Sequence, residues 1–151
     1  MQFALKATLV QLSTLALLVT SVVASPTPVA ANVVANAELD HWLATTDAKL
    51  TFINDADTTN PLVDRATLDT RVVYCSRRTN NVCGGDCTVY NGNARCLDAP
   101  GTNCLFATTN VGFCDRGGCG GSCNQYSSCG TRLDGGFCYT PGTRSINVPF
   151  T

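Results

Sequence analysis

The chain predicts a small disulfide-rich fold of short β-hairpins and irregular loops, arranged as two pseudo-repeated cysteine modules and preceded by a short N-terminal helix. Three observations carry this expectation. All ten cysteines fall between Cys75 and Cys138, within the last eighty of 151 residues, a density that marks disulfide scaffolds. The cysteine region repeats itself. An apolar N-terminus and an acidic stretch precede it, with no cysteine in either.

The N-terminus reads as a secretory signal peptide over residues 1–24. "MQFALK" supplies a short basic start with Lys6, and "ATLVQLSTLALLVTSVV" an apolar core with polar interruptions. Small residues before Ser25 place the cut after Ala24. Export to an oxidising compartment and ten cysteines support one another. A domain of about 80 residues buries too little surface to be comfortably stable unaided, so bridges of about 2–4 kcal/mol each have a clear task.

Residues 25–71 form an acidic leader or propeptide. Seven acids face Lys49, Arg65 and Arg71, a net of −4, whereas the region from Val72 has six Arg against four Asp. Neither balance resembles the dense basic stripe of a nucleic-acid binder. Ser25–Asn36 reads as an extended lead-in. From Ala37 to about Leu50 a helix is expected, with Asn36 as N-cap, Glu38 and Asp40 in the first turn, and Leu39, Trp42, Leu43, Leu50 and Ile53 at helical spacing. "NDADTTNP" ends it. The leader is either removed after Arg65 or Arg71, or stays and packs its Trp42 face on the domain. Single Arg sites are weak cleavage signals; a removable or loosely docked acidic segment is the expectation, and a helix this short is marginal in water unless something covers its apolar face.

The disulfide-rich domain spans 72–151, with copy one at 74–104 and copy two at 113–143. "YCSRRTNNVCGGDCTVYNGNARCLDAPGT" and "FCDRGGCGGSCNQYSSCGTRLDGGFCYTPGT" share aromatic-Cys-x-Arg in outline, Cys-Gly-Gly-x-Cys, a Tyr three residues on, and Pro-Gly-Thr. Cys75, Cys83, Cys87 and Cys96 thus correspond to Cys114, Cys119, Cys123 and Cys138, leaving Cys104 and Cys129 as extras. Each copy holds five cysteines, so full oxidation within the chain requires at least one bridge between copies. Cys104–Cys129 is the simplest candidate. Hairpin turns are expected at Asn91-Gly92 and Asp134-Gly135. The glycines of each Cys-Gly-Gly-x-Cys should allow a tight turn between cysteines. "LFATTNVGF" and "SINVPF" read as strands, the latter with an edge proline.

Metal ligation is weighed because Cys-x3-Cys occurs twice, yet the single His41 lies outside the cysteine region and zinc sites commonly add His. No metal and no cofactor is expected. No histidine follows Val72 to serve a nucleophile as base. Asp86, Asp98, Asp115 and Asp134 could in principle form a glycosidase pair, but turn chemistry accounts for three of them. The expectation is no enzyme. Candidate binding residues are Arg77, Arg78, Arg116 and Arg132, which could satisfy exposed carbonyls or, on a rigid loop, enter a trypsin-like protease. Tyr90 and Tyr126 occupy equivalent positions and could either join a scanty core or face a sugar polymer.

The signal peptide, "WLATTDAKLTFI", an Arg-ended leader and "FCDRGGCGGSCNQYSSCGTRLDGGFCYTPGT" together resemble the small secreted cysteine-rich proteins of fungi, especially mushroom-forming ones. The resemblance covers most of the chain. It implies an extracellular effector, defence or development-related role and transfers no catalytic residue. The expected partner is an extracellular protein or cell-wall polysaccharide, with no nucleic acid and no membrane after signal removal. A carbohydrate-binding module and a protease inhibitor are the alternatives.

Overall fold

The computed structural model describes residues 28–54 and 70–149. The expected signal peptide, its cleavage point, the turn after Asn54, Arg65, and the final Phe150 and Thr151 lie outside them. The fold is small, mostly strands and loops, with five disulfides and a helix ahead of the strand region. Helix α1 runs Pro28–Thr45, followed by β1 (Lys49–Asn54), β2 (Thr70–Thr79), β3 (Val82–Gly92), β4 (Arg95–Ala107), β5 (Gly112–Cys114), β6 (Cys123–Gln125) and β7 (Cys138–Val148).

The helix starts nine residues before the expected Ala37 and ends five before Leu50. Pro28 sits at its first position, where a missing amide is tolerated, and the alanine-rich stretch read as an extended lead-in continues the helix. Thr45 closes it by donating its hydroxyl to the His41 carbonyl (2.9 Å). Leu50 and Ile53 belong instead to strand β1, which pairs in parallel with β3 from Lys49↔Asp86 to Asn54↔Asn91. β-branched and aromatic residues in "KLTFIN" suit that pairing.

Period-two alternation sorts the sheet into two apolar clusters. Val73, Cys75, Cys83, Cys87, Val89, Cys104 and Phe106 face one side, where Leu39 of α1 joins them with Leu133 and Phe137. Val72, Tyr74, Tyr90, Leu105 and Ala107 face the other, closed by Leu97, Ala99, Ile146 and Val148. Because both faces are covered, "VVYC" of β2 is buried without interruption.

The duplication is visible in the strand order β1-β3-β2-β4-β7-β5-β6. Apart from β1, each strand of copy one has its counterpart at the mirrored place: β3 with β6, β2 with β5, β4 with β7. Cys75 pairs across the ladder with Cys87 and with Cys104; its equivalent Cys114 pairs with Cys123 and with Ser145. The two copies meet along β4 and β7, and the Pro-Gly-Thr repeats lie at that seam, with Thr102 opposite Thr143. Gly101 and Gly142 both take positive φ there (73° and 78°).

The bridges are Cys75–Cys87, Cys83–Cys104, Cys96–Cys119, Cys114–Cys123 and Cys129–Cys138. One bridge does join the copies, as parity demands. It is Cys96–Cys119, not Cys104–Cys129. The reason lies in the register: Cys104 is no supernumerary residue but the structural counterpart of Ser145. In copy one, Cys104 closes on Cys83. In copy two, Ser145 Oγ instead accepts the amide of Cys119 (2.9 Å) and donates to the Arg116 carbonyl. With no thiol at 145, Cys119 bonds across the seam to Cys96, and Cys138 takes Cys129.

Asn91-Gly92 is not a hairpin turn. Both residues are paired inside β3, with Arg71 and Thr70, and β3 and β4 are separated by β2. The hairpin between β2 and β3 turns instead at Asn80-Asn81, where Asn80 holds φ 54°, a value asparagine tolerates. At Asp134-Gly135 the reversal does occur. A 3-10 turn over Asp134–Gly136 is closed by Leu133 N to Phe137 O (2.7 Å) and Tyr139 N to Thr131 O (2.9 Å). "LFATTNVGF" splits into the end of β4 and β5, and "SINV" is the end of the long central β7, with Pro149 beyond it.

In each Cys-Gly-Gly-x-Cys the second glycine carries the turn. Gly85 and Gly121 have φ of 85° and 76°, and each lies against the two residues that follow the first cysteine of its copy, Cys75 or Cys114. The residue after that cysteine caps the turn in both copies: Ser76 Oγ accepts the Asp86 amide (3.1 Å) and Asp115 Oδ1 the Ser122 amide (2.9 Å). A Cβ on Gly121 would stand 2.2 Å from Asp115 Oδ1. Gly121→Ala therefore combines left-handed strain with loss of the cap, an expected destabilisation of about 2–3 kcal/mol read by urea unfolding.

Candidate functional site

The candidate residues do not form one site. Tyr90 is fully buried, and its hydroxyl donates to the Asn93 carbonyl (2.6 Å). The idea of two similar tyrosine faces on a sugar polymer fails at that point, because Tyr90 is core. Arg77 and Arg78 lie within strand β2, opposite Gly84 and Cys83, and not on a projecting loop. Arg78 stacks over the Tyr139 ring (4.2 Å to the centroid) while its Nε donates to the Asn80 carbonyl (2.6 Å). Arg77 is exposed, and Arg116 is exposed beside Gly121.

Tyr126 and Arg132 are brought together. Tyr126 opens a 3-10 turn after β6, anchored by its amide to the Val111 carbonyl (2.9 Å). The Ser127 amide donates to Asn110 Oδ1 (2.9 Å), and Asn110 Nδ2 to Gln125 Oε1 (3.1 Å), so segments 108–111 and 125–127 are stapled side by side. Arg132 lies over the Tyr126 ring (4.5 Å), with NH2 donating to the Tyr126 carbonyl (2.7 Å) and NH1 to the Gly136 carbonyl (3.3 Å). The Tyr126 hydroxyl reaches the same Gly136 carbonyl (2.7 Å). Burial raises the Tyr126 pKa despite the neighbouring Arg132, so the phenol stays a donor across physiological pH. The guanidinium is thus fixed in plane and position by partners of the chain itself, with three of its five N–H groups left over.

This clamp forms one side of a groove of about 600 Å³. Its other wall is α1, through Ala35 and Glu38, and Thr108, Thr109 and Asn110 follow the end of β4 along it. A row of rings supports it from below: Trp42 to Phe137 (4.8 Å between centroids), Phe137 to Phe106 (5.6 Å) and Phe106 to Tyr126 (6.2 Å). Gly136 permits the close approach. It has φ 80°, and a Cβ there would sit 2.9 Å from Phe106 and 3.5 Å from Glu38 Oε2. Sequence reasoning missed Glu38, Phe106 and Asn110 as site residues. In the sequence Glu38 reads only as a helix-dipole acid, and nothing local to Asn110 marks it.

The leader is therefore built into the site. Leu39 is 1% exposed, and Arg71 NH1 joins Asp40 (2.7 Å) and Asn36 (3.3 Å) across the gap between α1 and β2. Its contacts are those of a packed element, not of a loosely docked one.

Every cysteine is in a bridge. Of the four aspartates after Val72, Asp115 caps a turn, Asp86 faces Lys49 at the surface (3.9 Å), Asp134 opens the 3-10 turn, and Asp98 lies opposite Ser145 in the β4–β7 ladder. Among the described residues no group of three His, Cys, Asp or Glu converges as a metal-ligand set, and no helix is long and apolar enough to cross a membrane. No protein-family model, curated protein or solved structure matches the chain.

Proposed function

We propose that this chain is a secreted, non-enzymatic interaction protein, effector-like or defensive, which recognises an extracellular partner through the groove between α1 and the 126–136 loop. The observation that carries this reading is the Arg132–Tyr126 clamp. Its groups are fixed before any ligand arrives, so little side-chain freedom is lost on binding. Five disulfides suit an oxidising, extracellular setting. The resemblance to fungal small secreted cysteine-rich proteins points the same way.

Use of Arg78 or Arg132 as a protease-inhibitor anchor is less well supported. Each guanidinium is turned back onto a ring and a carbonyl of its own chain, so entering a specificity pocket would break those contacts first. For catalysis, the Asp115 carboxylate is already committed to a backbone amide.

Ser127 is exposed at the rim of the groove. Ser127→Trp should fill it without touching the buried clusters. Wild-type protein incubated with intact cells and cell-wall fractions is expected to be depleted from solution, and Ser127→Trp to remain there with an unchanged thermal midpoint. Equal depletion of both proteins would place recognition elsewhere.

A further inference from the structure

A second depression, of about 550 Å³, continues along α1 beyond the groove just described. Trp42, His41, Val34, Ala37 and Gly135 line it, and Glu38 borders both. Together they form a trough with Glu38 near its middle. Each compartment lies within the usual size range of a small-molecule site. We propose that the trough binds an uncharged oligosaccharide, with Glu38 accepting hydroxyl hydrogen bonds, Arg132 donating them, and the Trp42 and Tyr126 rings contacting the sugar C–H faces. This rests on the groove being the recognition site.

The charge balance chooses the ligand class. Glu38 and Arg132 lie in the same trough and cancel, so a polyanion attracted by one is repelled by the other, and a polycation meets the reverse. A sugar hydroxyl is both donor and acceptor. It uses an acceptor-only carboxylate and a donor-only guanidinium without either being a liability. Glu38 has no hydrogen bond or ion pair with the described residues, and Arg132 has N–H groups to spare. Asn110, Thr109 and Ser127 add neutral polar groups along one wall. A peptide that adds as a β-strand, by contrast, is held chiefly through main-chain bonds to a sheet edge. Here the facing wall is a helix, whose main-chain groups are spent within it.

The test uses the full chain as recovered from the medium, titrated calorimetrically with soluble β-glucan and chitin oligomers and with polygalacturonate as the acidic comparison. A neutral oligomer is expected to bind and polygalacturonate not to bind. Glu38→Ala should weaken the neutral ligand by about tenfold or more, the loss expected for a charge-assisted hydrogen bond, with the thermal midpoint unchanged. Glu38→Arg should lose the neutral ligand and gain polygalacturonate. Absence of binding to every neutral oligomer, or binding indifferent to both Glu38 variants, overturns the proposal. If no saccharide binds yet Ser127→Trp still abolishes depletion by cell fractions, the oligosaccharide is wrong and the groove stands. If neither effect appears, both fall.

Discussion

Reduction of the five disulfides is expected to unfold the protein outright. At about 2–4 kcal/mol each, the bridges together contribute about 10–20 kcal/mol, as much as the whole net stability of a typical domain, about 5–15 kcal/mol. The two apolar clusters are modest, and four cysteines of the first are themselves bridge members in the core. Far-ultraviolet circular dichroism of reduced and alkylated protein should show loss of the strand signal at 25 °C. A reduced protein that kept a cooperative thermal transition would show that the clusters suffice without sulfur. Removing the bridge between copies alone, by Cys96→Ser with Cys119→Ser, should be milder. Its 23-residue separation corresponds to about 3 kcal/mol in the chain-entropy account. The β4–β7 ladder still holds the copies together, so a lowered but cooperative transition is expected.

The second large effect concerns the leader. Leu39 is 1% exposed and packs with Val73, Phe106 and Phe137, elements of the domain proper. Leu39→Ala should destabilise the mature protein by about 2–4 kcal/mol, or a fall of roughly 10 °C in thermal midpoint for a chain of this size. The comparison also decides what the mature protein is. If residues 28–54 were removed before the protein does its work, Leu39→Ala would leave the midpoint of material from the medium unchanged. The trough would then lack the wall that carries Glu38.

Local signals in the sequence were reliable where the physics is local. The Cys-Gly-Gly-x-Cys turns, the Asp134 reversal and the apolar face of Leu39, Trp42 and Leu43 could all be read directly. They depend on positive φ, turn propensity and helical spacing over a few residues. What failed depended on strand register. Asn91-Gly92 has hairpin chemistry, but Asn91 sits between β1 and β2 and Gly92 pairs with β2, and these ladders hold them extended. Leu50 continues the helical spacing, yet pairing with β3 claims it for a strand. Cys104 looked unmatched because its counterpart is a serine, and only the ladder shows that Ser145 stands in the same place.

The candidate site was half legible. Tyr126 was marked by repeat position and Arg132 by residue type, while Tyr90, the equivalent of Tyr126, is core. Glu38 could not be linked to Arg132 from sequence, because more than ninety residues separate them and only the packing of α1 brings them to one trough.

The exchange of a cysteine for Ser145 also bears on the order in which bridges can close. As the chain emerges from its N-terminal side into an oxidant, Cys75, Cys83, Cys87 and Cys104 can complete their native pairs among themselves. Cys96 is then the one thiol left waiting, and it stays so until Cys119 of the following half has appeared. The earlier half therefore carries an open position that only the later half can close, which makes correct oxidation a checkpoint for synthesis of both.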